Sequence, residues 1–284
     1  MCGNYGDPAA SSESKSILSY VRSVNSSIVL GMNTNGALQT TFYWHELGRL
    51  FNQSRDYVVF SIDGLEDTHS LYRLDTNWAH IIRNAKAFIA AGGNAVWKMI
   101  KFDHNAHQVD ECRTMASELG FIKFDLTDHS RSSGSVFDRQ GNRVYQIGSG
   151  PSHPTTDTVI KWYDKYIEDD WMLQKTEKNS LSCYSQQSKS IYVTANGEVY
   201  PCCYLGFFPK TFVNSHWYDQ GNRQLQNLLT ESNNAIEVGL ESAINWFNKI
   251  EQSWSIQKYS NGRLRLCDEH CGTDKYVYLE SQNL

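Results

Sequence analysis

Residues 57–62, with the sequence YVVFSI, and the Asp63-Gly64 pair that follows them decide the fold class of this chain. The six residues form a continuous apolar run rich in β-branched and aromatic side chains, as expected for a strand that is buried on both faces. The Asp-Gly pair is typical of a break between a strand and a loop. We therefore expect a buried strand that delivers Asp63 to a loop at the edge of a sheet.

Strands and helices alternate on both sides of this run. The clearest helix covers residues 77–91, where apolar side chains recur at helical spacing from Trp78 to Ile89. The alternation predicts an α/β fold with a parallel sheet and right-handed crossovers, either open or curled into a barrel. The predicted order is strand 28–32, helix 42–51, strand 57–62, helix 77–91, strand 95–100, helix 106–119 and strand 121–124.

In a parallel sheet of either shape, ligands bind at the carboxyl ends of the strands. The loops predicted at that edge are Thr34-Asn35-Gly36, Asp63-Gly64 and Asp103-His104-Asn105.

The regular alternation ends near residue 130. Ser, Gly and Pro accumulate over residues 130–156, which we interpret as a linker with a hairpin at 136–147. A second hairpin, with a two-residue turn at Asn196-Gly197, is predicted between residues 190 and 200. Helices are expected at 223–231 and 236–250. We therefore divide the chain into residues 1–129, a connecting segment 130–180 with a hairpin and a helix, and a small α+β domain at 181–284.

The composition excludes several classes of protein. The net charge of -5 argues against a general nucleic-acid binder, which would be basic. No apolar run approaches the roughly 18 residues that a membrane-spanning helix needs. The first ten residues have no apolar signal-peptide region. We expect a cytoplasmic protein with neither a membrane nor a general nucleic-acid partner.

The seven cysteines point to metal binding. Their odd number and the clustering of five of them in the last third of the chain do not fit a disulfide framework in a reducing compartment. A tight turn at Asn196-Gly197 would bring Cys183 and Cys202 together, and the Cys267-x3-Cys271 pair could close the site with two more thiolates. Four thiolates suit a [4Fe–4S] cluster and also tetrahedral zinc.

The choice between the two metals remains open at this point, and the three remaining cysteines and His270 are considered separately. Cys203 is expected to point away from Cys202, because adjacent strand residues face opposite sides. His270 is an alternative ligand. Cys112 lies on the apolar face of a predicted helix and is expected in the core. Cys2 has no assigned role.

The pattern Cys183-x13-Gly197-x4-Cys202, embedded in IYVTANGEVYPCC at residues 191–203, resembles the opening of the SPASM domain of radical S-adenosylmethionine enzymes. The full SPASM pattern has more cysteines and carries two auxiliary clusters. Because only Cys267-x3-Cys271 follows here, the chain is more similar to the reduced, twitch-like domain with one auxiliary [4Fe–4S] cluster. The resemblance implies that these four cysteines are its ligands, with zinc as the alternative metal.

The N-terminal half resembles the same family. Cys2-Gly3-Asn4-Tyr5-Gly6-Asp7-Pro8 is similar to the "GGEP" segment that binds the amino group of S-adenosylmethionine, which implies roles for Gly3, Gly6 and Asp7. The stretch SIDGLEDTHSLYR at residues 61–73 resembles the fourth-strand "SIDG…H…YR" stretch. There the resemblance places Ser61 and Asp63 near the ribose and substrate, and Arg73 at the methionine carboxylate.

One departure from the family decides what this chain can do. The family holds its catalytic cluster with C-x3-C-x2-C before the GGEP-like segment, and no three cysteines here have that spacing. We therefore expect a partial (β/α)6 barrel that lacks its first βα unit, from a fragment, a misplaced gene start or one half of a split enzyme. No catalytic residue is assigned, and the chain alone is expected to be inactive.

The resemblance implies that the full-length form generates a 5′-deoxyadenosyl radical and modifies a peptide, protein or small-molecule substrate. A split enzyme would need a partner that carries the catalytic cluster. The alternative from another class is a non-catalytic [4Fe–4S] or zinc-binding module that acts with a partner.

Overall fold

Four parallel strands form the central sheet of the N-terminal part of the chain in a computed structural model, which describes residues 1, 6–127, 134–137, 143–147, 180–206, 224–256 and 262–272. The strands follow one another across the sheet in chain order, and each pairs in parallel with the next. The predicted α/β fold with a parallel sheet is therefore confirmed. The strands are β1 (Gly31–Thr34), β2 (Tyr57–Ser61), β3 (Ala95–Ile100) and β4 (Lys123–Thr127).

The helices of this part follow the predicted alternation. Side chains of Thr40 and Asn77 cap two of them by accepting hydrogen bonds from backbone amides three residues later. The helices are α1 (Ser14–Val24), α2 (Thr41–Leu50), α3 (His69–Tyr72), α4 (Trp78–Ala90) and α5 (Val109–Glu118), with 3-10 turns at Pro8–Ala10 and Ala106–Gln108.

These helices share one core with one face of the sheet. Each crossover advances by one strand in the same direction, so right-handed connections place their helices on the same side. The tightest contact is between α2 and α4. A Cβ on Gly48 would lie 2.4 Å from the backbone oxygen of Phe88, so only glycine permits this approach. The largest fully buried side chains of this core are Trp44, Phe51, Phe60, Phe88 and Trp97.

The opposite face of the sheet is open, and the expectation that residues 57–62 are buried on both faces was wrong. In β2, Val58 and Phe60 are fully buried, whereas Tyr57 is 42% exposed and Ser61 is half-buried. The physical reason is the one-sided helical layer. The second face borders a polar pocket instead of a second layer of helices.

Two hairpins were predicted, and both form. Strands β5 (Gly134–Phe137) and β6 (Arg143–Ile147) pair antiparallel, while the predicted turn at Gly141-Asn142 lies outside the described residues. Strands β7 (Tyr192–Val193) and β8 (Val199–Tyr200) also pair antiparallel.

The second turn is longer than predicted. The amide of Thr194 donates to the carbonyl of Glu198 at 2.9 Å, which leaves three residues in the loop instead of two. Gly197 takes the left-handed position of that loop, with φ +88°. A side chain at Gly197 would also collide with Ile236.

The chain divides into two compact units, residues 1–153 and 154–284. The second unit has its own apolar core, which includes Tyr200, Leu225, Trp246, Ile250 and Leu264. Its helices are α6 (Tyr184–Ser188), α7 (Ala235–Val238), α8 (Leu240–Ala243), α9 (Phe247–Trp254) and α10 (Arg265–Cys271).

The prediction of one helix over residues 236–250 was wrong. Gly239 adopts φ +78°, which a right-handed helix cannot continue, and separates α7 from α8. Residues 224–228 are helical within the helix predicted at 223–231. Among the helices that the structure describes, none has the length and apolar character needed to cross a bilayer.

Candidate functional site

The four cysteines singled out by their spacing line a single pocket in the second unit. Cys183, Cys202, Cys267 and Cys271 all contribute to its wall, and its volume is about 400 Å³. The sequence prediction that these side chains come together matches this arrangement, while their role as metal ligands stays a prediction.

Backbone contacts join the first and last of these cysteines. Leu181 forms an antiparallel bridge with Gly272, and the amide of Ser182 donates to the carbonyl of Cys271 at 3.0 Å. Cys183 then occupies the N-cap position of α6, and its side chain makes no capping hydrogen bond. Burial raises the pKa of the Cys271 thiol, the Cys183 thiol raises it further, and the backbone of Tyr184 lowers it. The two cysteines therefore meet where α6 begins and α10 ends.

Cys202 reaches the pocket through the hairpin. Strand β8 ends at Tyr200, and a helical turn over residues 203–206 begins directly after Cys202. In that turn the backbone amides of Leu205 and Tyr204 lower the pKa of the Cys202 thiol, against the larger rise that burial causes. Amide donors around cysteine sulfurs are a common feature of iron–sulfur sites, where they stabilise negative charge on sulfur.

A buried ion pair holds the helix that carries Cys267 and Cys271. Arg263 contacts both carboxylate oxygens of Asp268, at 2.6 Å from Nε and 2.6 Å from Nη2. Its Nη1 also donates to the backbone oxygen of Trp254 at 2.6 Å. Both charged side chains are almost fully buried. The pair therefore links the start of α10 to the end of α9 and places Cys267 in the pocket wall.

The environment of the thiols disfavours free thiolates. Burial raises the pKa of Cys202 to about 11, and burial also raises the pKa values of Cys267 and Cys271. The neighbouring cysteines add to each of these shifts. A metal centre would displace the thiol protons and supply the positive charge that the crowded sulfurs lack.

Within the described part of the chain, no group of three or more His, Cys, Asp or Glu side chains is placed to hold a single metal ion. The side chain of His270 lies outside the described residues. Cys203 is exposed and outside the pocket wall, and Cys112 is buried in the core of the first unit, where burial raises its pKa to about 12.

A second pocket, of about 500 Å³, lies on the open face of the parallel sheet. It brings together four of the residues predicted to contact S-adenosylmethionine, namely Gly6, Asp7, Ser61 and Arg73. Gly3 lies outside the described residues. The roles of all five in ligand binding stay predictions.

Asp63 does not line this pocket, although the sequence placed it beside Ser61. Its side chain is fully buried and forms an ion pair with Arg73, with 2.7 Å between Oδ2 and Nε. Its other oxygen accepts a hydrogen bond of 2.6 Å from the amide of Ile100 at the end of β3. The backbone amide of Asp63 donates to Nδ1 of His69. Asp63 therefore holds Arg73 at the pocket.

Asp7 is also engaged in the protein itself. Its carboxylate accepts hydrogen bonds from the amide of Ala9 at 2.9 Å, the hydroxyl of Thr34 at 2.9 Å and the amide of Asn35 at 2.6 Å. These contacts hold the segment before the first 3-10 turn at the end of β1. The carboxylate thus borders the pocket in a fixed orientation.

Sequence reasoning missed two charged residues of this pocket, Lys98 and Asp125. Ser61 on β2 is the register partner of Lys98 on β3, and Lys98 is the register partner of Asp125 on β4. The three residues therefore form a row across three parallel strands. Alternation along β3 places Lys98 on the face opposite buried Trp97, but the register across strands is not readable from one sequence. With Asp7 and Arg73, the pocket carries two carboxylates and two cations, which suits a zwitterionic ligand.

Residues 183–237 match the family model of SPASM, an iron–sulfur cluster-binding domain. The prediction of a SPASM-type domain is confirmed for this segment, which contains Cys183, Gly197 and Cys202 and ends before Cys267. No curated protein sequence matches the chain.

The fold is similar to several solved structures at low identity. SuiB from Streptococcus suis has a TM-score of 0.45 at 14% identity over 75% of this chain and 52% of its own. SuiB bound to the precursor peptide SuiA has a TM-score of 0.42 at 15% identity, over 75% and 52%. The protein anSMEcpe with bound AdoMet has a TM-score of 0.42 at 19% identity, over 69% and 55%. The chain spans about half the length of these proteins.

Proposed function

We propose that the second unit binds one auxiliary [4Fe–4S] cluster through Cys183, Cys202, Cys267 and Cys271. One observation carries the proposal: the four thiols line a single pocket whose first two cysteines lie in the SPASM match. When bound, such a cluster would supply an electron-transfer centre or a Lewis-acidic iron. The chain supplies the thiolates, the amide donors to sulfur and an apolar wall that limits water.

Structural zinc is the competing occupant. A zinc ion needs its ligands about 2.0 to 2.3 Å from one centre, which draws them into a compact group. The described residues contain no such group, although the four thiols share a wall. The chain also has no C-x2-C knuckle of the kind that zinc ribbons use. The missing C-x2-C knuckle favours a cluster over a zinc ribbon.

For the first unit we propose that the sheet pocket binds S-adenosylmethionine, as the family resemblance implies. The methionine part of this ligand is zwitterionic. Arg73 would pair with its carboxylate, and Gly6 and Asp7 would contact its ammonium group. Ser61 lies on the same pocket wall and would contact the ribose. The paired charges of the pocket support this assignment.

The whole protein, in this proposal, modifies a peptide, protein or small-molecule substrate by radical chemistry. The cysteines for the catalytic cluster would come from residues outside the given sequence or from a partner chain. The second candidate function is a cluster-binding module without catalysis. An in-frame C-x3-C-x2-C upstream in the encoding DNA supports the enzyme, and its absence from both that DNA and any partner gene supports the module.

The cluster is tested by anaerobic purification of the full chain and analysis of iron and acid-labile sulfide. We expect roughly four irons and four sulfides per chain. Cys202→Ala should lose most of the iron, whereas the matched variant Cys203→Ala should keep it, because Cys203 is outside the pocket wall. One zinc per chain that resists iron reconstitution, or equal loss in both variants, would overturn the assignment.

A further inference from the structure

The indole of Trp254, at the end of α9, forms part of the wall of the cysteine pocket. Its Nε1 is buried, and no described oxygen or nitrogen accepts a hydrogen bond from it. Leaving a buried donor unpaired costs roughly 1–3 kcal/mol. A donor of this kind on the wall of a site marks a place where an acceptor is expected.

The acceptor that the pocket offers is the sulfur of Cys267. Cys267 lines the same pocket as Trp254, and Arg263 joins the backbone of Trp254 to Asp268, the residue after Cys267. A thiolate that ligates iron carries more negative charge than a thiol and is the stronger acceptor. Binding of a metal centre would therefore complete a contact that the protein has already prepared.

The relative position of the two residues is held by buried contacts. Arg263 donates to the backbone oxygen of Trp254 and forms two contacts with Asp268, the residue after Cys267. Arg263 is 5% exposed and Asp268 is 1% exposed. Because this link joins the end of α9 to α10, it fixes the backbone of Trp254 relative to the helix that carries Cys267.

We propose that the indole N–H of Trp254 donates a hydrogen bond to the Cys267 sulfur of the bound cluster and raises its reduction potential. This inference rests on the cluster proposed above. Reduction adds negative charge that spreads onto the sulfurs, so a donor to sulfur stabilises the reduced state more than the oxidised state. Trp254 is in this sense a positioning and tuning residue, since it acts through a ligand.

The test is Trp254→Phe in the full chain, which removes the N–H and keeps an aromatic ring in the wall. Iron and sulfide content should stay at the wild-type level. The reduction equilibrium of the cluster should shift about tenfold toward the oxidised form, which is about 59 mV for one electron. The measurement is a redox titration followed by electron paramagnetic resonance.

Trp246→Phe is the matched control. Trp246 also has a buried Nε1 with no described acceptor, and it lies in the same core, but it is outside the pocket wall. Its replacement should leave the potential unchanged. Equal shifts in both variants, or no shift in Trp254→Phe with the cluster intact, would overturn the inference. A wild-type chain without iron would instead refute the cluster itself.

A wild-type measurement covers the case in which Trp254→Phe fails to assemble. The chain is labelled with 15N at its indole nitrogens and reduced, and pulsed electron paramagnetic resonance then detects nitrogen nuclei coupled to the cluster. A coupled indole nitrogen supports the hydrogen bond. A reduced cluster with no indole coupling would refute it.

Discussion

The buried ion pair between Asp63 and Arg73 is expected to stabilise the first unit, and a substitution of Asp63 tests this. Asp63→Asn removes the negative charge of a fully buried carboxylate while nearly preserving its shape. The new amide can still accept the hydrogen bond from Ile100, which is 2.6 Å in the native protein. It cannot accept equally well from Nε of Arg73, which lies 2.7 Å from the carboxylate. The variant therefore isolates the ion pair.

The expected loss of stability in Asp63→Asn follows from the solvent exposure of the Asp63 and Arg73 side chains. Removing one member of a fully buried ion pair costs about 3–5 kcal/mol, because the other charge stays desolvated. The Arg73 side chain is 26% exposed and Asp63 is 0% exposed. Partial hydration of Arg73 reduces the penalty, so we expect a destabilisation of about 2–3 kcal/mol.

Asp125→Asn is the matched control in the same sheet. Asp125 pairs with Lys123 at 3.3 Å, but their side chains are 41% and 62% exposed. A surface pair of this kind contributes at most about 1 kcal/mol. Urea unfolding of the full chain gives both losses, and hydrogen exchange shows whether β2 and β3 open first. Equal losses of stability in Asp63→Asn and Asp125→Asn would show that the buried Asp63–Arg73 ion pair does not stabilise the first unit.

The remaining predictions concern packing and pH. Gly48→Ala should lower the free energy of unfolding by about 2 kcal/mol, since the new methyl group would strike the backbone of Phe88. Gly92→Ala is the comparison: space around Gly92 is open, so its positive φ alone should lower the free energy of unfolding by about 1 kcal/mol. Burial lowers the pKa of His69 from 6.5 to about 4. As the pH falls, the imidazole is therefore protonated in the unfolded chain before it is protonated in the folded protein. Stability should fall by up to about 3 kcal/mol between pH 6.5 and pH 4. His69→Asn should flatten this part of the urea-unfolding profile, and an unchanged slope would contradict the assignment.

The order of strands and helices could be predicted from local sequence patterns. The burial of β2 was predicted correctly for only one of its two faces. Apolar residues at Val58 and Phe60 correctly predicted a helix-covered face. Val59 and Tyr57 looked equally buried in sequence, but they face the open side. The difference arises because all crossovers advance in one direction, which is a property of the whole sheet. The break at Gly239 shows the same limit, since helical periodicity alone did not reveal its positive φ.

The convergence of the cysteines could be predicted from the sequence, because a hairpin with a glycine turn brings Cys183 and Cys202 close together. The sheet pocket was read only in part. Lys98 and Asp125 come next to Ser61 through strand register, and register depends on packing that one sequence does not display. Trp254 was missed because its approach to Cys267 depends on the link between two helix ends.

The cysteine pocket of the second unit is proposed to hold one iron–sulfur cluster. Crystals of the anaerobically purified chain, measured at the iron and zinc absorption edges, test it most directly. We predict an anomalous iron peak bounded by the sulfurs of Cys183, Cys202, Cys267 and Cys271, with no zinc signal. A zinc peak at that position, or iron bound elsewhere while these four thiols remain free, would show that the pocket holds no iron–sulfur cluster.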